Sequence, residues 1–335
     1  MTGRAHPSHA ALVAALGVLV LALFLGSAAI GYAPLDISAA FADLMAGRPS
    51  LPALVLSELR LPRAILGATV GFSLGVTGAA LQGLMRNPLA DPGVVGVSGA
   101  AALGAVVAFY FGASAVFALA LPLGGLVGAG IATAFLLTLA RQGAGTATLI
   151  LAGVALNSLT GALTALALNL APSPYAALEV VFWLMGSLSD RSLVHVSLTL
   201  PFMAVGWMLV LSTGRALDAL TLGEDTAASL GFSLRRTRLL VIGGTAAAVG
   251  ASVAVAGAIG FVGLVVPHLM RPLVGHRPGR LLLVSGLAGA ALTLGADIAV
   301  RLIPTRPELK LGVVTALIGA PFFLAMLRRL KVEGE

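Results

Sequence analysis

The 335-residue sequence contains no cysteine, two lysines and only 10% charged residues. The absence of cysteine excludes disulfides, thiolate metal sites and cysteine nucleophiles, and leaves the redox compartment undetermined. Lys310 and Lys331 are the only lysines and no GxxxxGK[ST] phosphate loop occurs, so ATP hydrolysis cannot reside in this chain. HExxH and other clustered metal-ligand spacings are also missing; His195, His268 and His276 are scattered and are expected to be structural. The scarcity of charge says most. A soluble globular chain carries about 25% charged residues because its surface faces water, whereas here 59% of residues are hydrophobic. The solvent of this chain is mostly lipid.

Runs free of Asp, Glu, Lys and Arg cover residues 5–35, 64–85, 92–140, 142–178, 192–214, 239–270, 281–296 and 311–327. A hydrocarbon core of about 30 Å needs roughly 20 apolar residues per helix. The 92–140 run exceeds one span and breaks at Gly112, and 239–270 holds one span and most of another, interrupted by Gly257, Gly260 and Gly263. Ten transmembrane helices result. The runs are continuous and Leu/Ala-rich rather than alternating, which predicts an all-α polytopic membrane protein and not a barrel. The first span, near 10–30, follows Arg4 and ends on Ser27, Ala28 and Ala29, as a cleaved leader can. Its apolar stretch exceeds the usual core of about 7–15 residues, so it is read as a retained helix. With the N-terminus inside, Arg4, Arg86, Arg141, Arg215, Arg235, Arg236, Arg238, Arg271, Arg277, Arg280, Arg328, Arg329 and Lys331 face the cytoplasm, 13 Lys/Arg against 7 outside. The positive-inside rule then places both termini in the cytoplasm.

The chain forms a single transmembrane domain, 1–335, with repeat-like halves at about 59–170 and 235–330. TGAALQGLMRNPLADPG from Thr77 is followed by VSGAAALGA, and AGAIGFVGLVVPHLMRP from Ala256 by VSGLAGAAL. The echoed helices sit five spans apart, an odd number, so the copies enter the membrane from opposite sides as an internal inverted repeat. Such a repeat suits a midplane pathway that opens alternately to either face. Gly67, Gly71 and Gly75 recur every fourth residue, a small-xxx-small spacing that lets helix backbones approach closely.

The longest loop on the predicted cytoplasmic side, 213–236, reads as two short helices around Gly223. Ala216, Leu217, Leu220 and Leu222 form an apolar stretch; Glu224 and Asp225 sit where carboxylates complement a helix N-terminus; Ala227, Ala228 and Leu230 follow, and Gly231 closes the helix. This loop is either a docking surface for a cytoplasmic partner or a helix lying on the membrane interface. On the outer side, Arg60, Arg63 and Arg301 run against the charge bias, as snorkelling anchors or as guanidinium forks for a partner's carboxylates. Asp297 lies one turn before Arg301, a spacing that allows an intrahelical ion pair. Thr146, Thr148, Asn157, Ser158, Thr160 and Thr164 make span five polar, for bonding to neighbouring helices or lining a hydrated pathway.

Seven segments, in order along nearly the whole chain, carry a family resemblance: RLPR (60–63), the stretch from Gly78 through RNPLADPGVVGVSG (86–99), LAGVAL (151–156), WLMGSL (183–188), LGEDTAASLG (222–231), GAIGFVGLVVPH (257–268) and GVVTALIGAPFF (312–323). Together they resemble the permease subunits of type II ABC importers for iron-siderophore, haem and vitamin B12. The resemblance implies a homodimer in a bacterial inner membrane, two cytoplasmic ATPase subunits that use ATP and Mg²⁺, one periplasmic binding protein, and no cofactor or nucleic acid bound by this chain itself. It implies ATPase coupling through Leu217, Leu222, Gly223, Glu224, Ala228, Leu230 and Gly231, and binding-protein docking at Arg60, Arg63 and Arg301. The gate is expected at the start of span five, with Thr146, Ala147, Asn157 and Thr160 along the pathway; Ala147 departs from the vitamin B12 transporter's pattern. A ferric siderophore, the commonest cargo in that family, is the expected substrate, with haem or cobalamin as alternatives. An ion-driven secondary transporter also uses inverted repeats but needs an intramembrane ionisable relay, for which Asp297 alone qualifies.

Overall fold

The computed structural model describes residues 8–31, 35–117, 119–171, 173–305 and 307–332. Arg4 and the side chains of Arg328, Arg329 and Lys331, which enter the charge asymmetry above, lie outside the described residues. Every regular element described is helical: α1 (His9–Ala29), α2 (Ile37–Met45), α3 (Leu51–Met85), α4 (Val97–Tyr110), α5 (Ala120–Arg141), α6 (Thr146–Asn169), α7 (Pro174–Leu184), α8 (Leu193–Leu211), α9 (Gly214–Leu220), α10 (Glu224–Ser229), α11 (Leu234–Ala256), α12 (Val262–Met270), α13 (Pro278–Leu302) and α14 (Leu311–Val332).

Local chemistry sets the boundaries. Ser8, Asp36, Ser50 and Ser233 each accept a backbone N–H of the following turn and so open α1, α2, α3 and α11. The 92–140 run breaks at Gly112, and α11 and α12 are separated by the glycine-rich 257–261 segment. Among the described residues seven helices, α1, α3, α5, α6, α8, α11 and α13, are long and apolar enough to cross a membrane. Three of the ten expected spans fall on α4, α12 and α14, whose apolar stretches Val97–Tyr110, Val262–Val274 and Leu311–Ala325 are shorter, and the 142–178 run holds all of α6 together with the start of α7. At 35 residues α3 is about 52 Å long, far more than a bilayer core requires, and its early turns include a wider π turn over Val55–Arg60.

Burial ranks the helices. α3 and α11 bury 78%, and α13 67%, of their most apolar stretch, against 6% for α1 and 17% for α6. The first three form the core, and α1 and α6 turn leucines outward, among them Leu21, Leu25, Leu151 and Leu166. Helices α3 and α13 touch backbone to backbone. A Cβ on Gly71 would collide with the carbonyl of Gly289, and one on Gly75 with that of Ser285. Helix α8 packs on α3 through Trp207, whose Nε1 donates to Ser73 Oγ at 2.8 Å and whose ring meets Phe72 edge-on at 4.9 Å. The end of α11 adjoins Ser187, whose N–H donates to Ala256 O at 2.7 Å. Ser189 bonds Glu308, and Glu308 pairs with Arg63 in the first half of α3. Helices α3 and α11 therefore run in opposite directions, whereas α12, which carries most of the segment from Ala256, runs beside the end of α3 in the same direction, with Gly78 against Gly263 and Gln82 bonded to Leu264 and Arg271.

Candidate functional site

At one end of the bundle, α9 and α10 form a hairpin turning at Gly223, whose φ of +118° is open to glycine and strained for other residues. Its inner side is anchored. Leu217 and Ala227 are fully buried, and Asp218 accepts the Gly279 N–H at 2.7 Å, capping the start of α13. Its outer side carries Leu222 (66% exposed), Leu230 (58% exposed) and Ala228, with Gly231 exposed beyond them. This corrects the expectation for Leu217, which has no surface to offer a partner because it packs into the core beside Gly83. Glu224 opens α10 and accepts two bonds from Arg238 Nη2, at 3.1 and 3.3 Å. Its side chain is 52% exposed, so the pair contributes less than about 1 kcal/mol to stability.

The same guanidinium reaches the predicted gate, since Arg238 Nε donates to Thr146 Oγ1 at 3.1 Å. Ala147 is exposed beside it. Asn157 and Thr160 lie about three and four turns beyond Thr146 along α6 and face the 93–99 segment: Asn157 Nδ2 donates to Gly93 O at 2.5 Å, and both side chains crowd Gly99. The Asn157 bond joins α6 to neighbouring backbone, one of the two uses that hydroxyl- and amide-rich helices have in membranes, while Thr160 Oγ1 donates within α6, to Leu156 O at 2.8 Å. The 93–99 segment borders a cavity of about 150 Å³ lined by Asp91, Ser98, Ser252 and glycines 257, 260 and 263.

The opposite end holds a charge cluster. Asp297, 1% exposed, accepts Arg63 Nη2 at 2.8 Å and Nε at 3.0 Å, and pairs with Arg301 Nη2 at 2.8 Å, the intrahelical pair its spacing allows. Arg63 also pairs with Glu308, which accepts Ser189 Oγ at 2.9 Å. Burial would push the Glu308 carboxyl up, but the hydrogen bond and charge of Arg63 outweigh it and hold the group below its ordinary range. Arg301 Nη1 donates to the carbonyls of Ser27 and Ile30, and Arg60 Nη1 to those of Ala28 and Ala29, so both arginines satisfy the carbonyls left open at the end of α1. The expectation of freely presented forks is corrected accordingly. Arg60 and Arg301 are each 6% exposed, and all three guanidinium groups are engaged within the chain.

Residues 19–329 match the model of the FecCD transport family. The chain belongs to that family. It is 41% identical over 296 residues to the cobalamin import system permease protein BtuC of Halobacterium salinarum, covering 88% of this chain and 78% of that one. It is 39% identical to the Fe(3+) dicitrate transport system permease protein FecD of Escherichia coli (90% and 93% covered), and 37% identical to the hemin transport system permease protein HmuU of Yersinia pestis (98% of each). A solved structure of an inward-facing metal-chelate type ABC transporter superimposes with a TM-score of 0.81 at 31% identity, covering 95% of this chain and 98% of that one. This FecCD member is thus a multi-span permease subunit of an ABC importer, a non-enzymatic membrane component whose ATPase is a separate subunit and which works with a binding protein.

Within this FecCD permease the residues the sequence concealed are Asp91, Asp218, Arg238 and Glu308. Arg238 enters the sequence reading only as a topology charge, because its partners are 14 and 92 positions away. His195, by contrast, behaves as expected: its Nδ1 accepts the Ser192 N–H at 3.2 Å and caps α8.

Proposed function

We propose that this permease works as a homodimer with two cytoplasmic ATPase subunits and one periplasmic binding protein, importing a metal chelate by alternating access, with a ferric siderophore as cargo. The ATPase subunits use ATP and Mg²⁺. Both termini lie in the cytoplasm, the α9–α10 hairpin meets the ATPases, and the arginine end faces the periplasm. The single observation that carries this reading is the hairpin itself: it is pinned to the bundle by Leu217, Asp218 and Ala227 yet turns Leu222 and Leu230 outward, in a chain with no phosphate loop.

Three further points support it. Cobalamin, ferric dicitrate and haemin, named for the relatives, are all metal chelates, and Ala147 weighs against cobalamin. The arginines Arg60, Arg63 and Arg301 gather at one end of the bundle, and a basic cluster there suits an acidic partner. The outward apolar faces of α6 and α14 suit lipid and a second copy.

The test is Leu230→Arg in proteoliposomes with the ATPase subunit. Loss of transport-coupled ATPase stimulation with normal membrane insertion is expected, and intact coupling refutes the docking assignment. Uptake that follows a proton or sodium gradient without any ATPase would instead identify a secondary transporter.

A further inference from the structure

We propose that Arg238 is a positioning residue that carries movement of the α9–α10 hairpin to the first turn of α6. The proposal rests on the permease function above. Arg238 lies in the second turn of α11 with its side chain 17% exposed, and its fork is divided between two elements. Nη2 holds both carboxylate oxygens of Glu224, the first residue of α10, while Nε holds the hydroxyl of Thr146, the first residue of α6. One turn earlier, Arg235 Nη2 donates to Arg141 O at 2.6 Å, at the end of α5, so the α5–α6 turn is fastened to α11 on both sides.

A planar guanidinium presents its donors at fixed angles, so a shift of one partner turns the donors offered to the other; an ammonium on a flexible stem would follow one partner and release the second. The Glu224 bond is half exposed and easily exchanged, as a link remade in each cycle requires. A contact transmits only where its free energy differs between two states. The hairpin is the element an ATPase would move, and the start of α6 is the element expected to gate.

The experiment uses the full permease with its ATPase subunits in proteoliposomes. Because the chain has no cysteine, Gln142→Cys in the exposed α5–α6 turn carries a single environment-sensitive fluorophore. Trapping the ATPase with ATP and vanadate is expected to change the emission. Arg238→Gln and Thr146→Val are each expected to shrink that change about fivefold or more, with the ATPase still bound and hydrolysing ATP. Thr146→Ser, which keeps the hydroxyl, is expected to respond like the parent, and Arg238→Gln combined with Thr146→Val is expected to lose no more than either alone. A full response in Arg238→Gln, or losses that add in the double variant, would overturn the proposal. If the unsubstituted permease binds no ATPase, the proposed function falls and the proposal falls with it.

Discussion

Replacing Asp297 with Ala should destabilise the permease far more than its distance from the α9–α10 hairpin suggests. The carboxylate is 1% exposed and neutralises two guanidinium groups, one 3% and one 13% exposed. Removing one member of a buried ion pair costs about 3–5 kcal/mol, because the charge left behind is neither hydrated nor paired. Here the remaining cations keep some company: Arg63 retains Glu308, and Arg301 retains Ser27 Oγ and two backbone carbonyls. The lower end, about 3 kcal/mol, is therefore expected, which is two orders of magnitude in the folded fraction at about 1.4 kcal/mol per tenfold. The assay is reversible unfolding in mixed micelles with increasing denaturing detergent. Glu224→Ala serves as the internal comparison, since its half-exposed pair should cost less than about 1 kcal/mol. Equal losses for the two variants would refute the argument that burial sets the worth of these pairs.

Two further outcomes follow from the same geometry. The Glu308 carboxyl sits below its ordinary range, so its contribution is complete above the unfolded value of about 4.3 and is lost as pH falls through the lower folded value. Melting temperature should fall across that acid window, and Glu308→Gln should abolish this part of the fall. Gly75→Ala forces α3 away from the Ser285 carbonyl and should lower the melting temperature, at a cost of about 1–3 kcal/mol. Gly17→Ala, in the middle of α1 with open space around it, should not lower it, since alanine in a helix interior is favoured over glycine by about 0.5–1 kcal/mol.

What could be seen in the sequence was whatever chemistry acts over one or two turns. The break at Gly112, the interruption after Ala256, the carboxylates that open α10 and the Asp297–Arg301 spacing are local, and each appears in the structure where composition and spacing put it. Contacts between distant segments left no such trace. Arg63 lies 234 positions from Asp297 and 245 from Glu308, so a buried cluster looked like three outward-facing arginines. Leu217 and Leu222 looked alike as members of one apolar stretch, and only the packing of α9 against α3 and α13 separates the anchor from the exposed residue. The end of α3 is a third case. Arg86 adopts a left-handed conformation (φ 48°) that a C-cap glycine usually takes, so no glycine signalled the stop.

The hydrogen bond from the Trp207 indole to Ser73 also gives the molecule its own optical probe. Only two tryptophans occur; one rests on α3, one of the two most buried helices, and the other, Trp183, has its carbonyl against Gly257, where the chain bends between α11 and α12. Native ultraviolet emission therefore samples both the buried centre of the protein and its bend, and sliding of α8 along α3 would shift the spectrum with no dye attached.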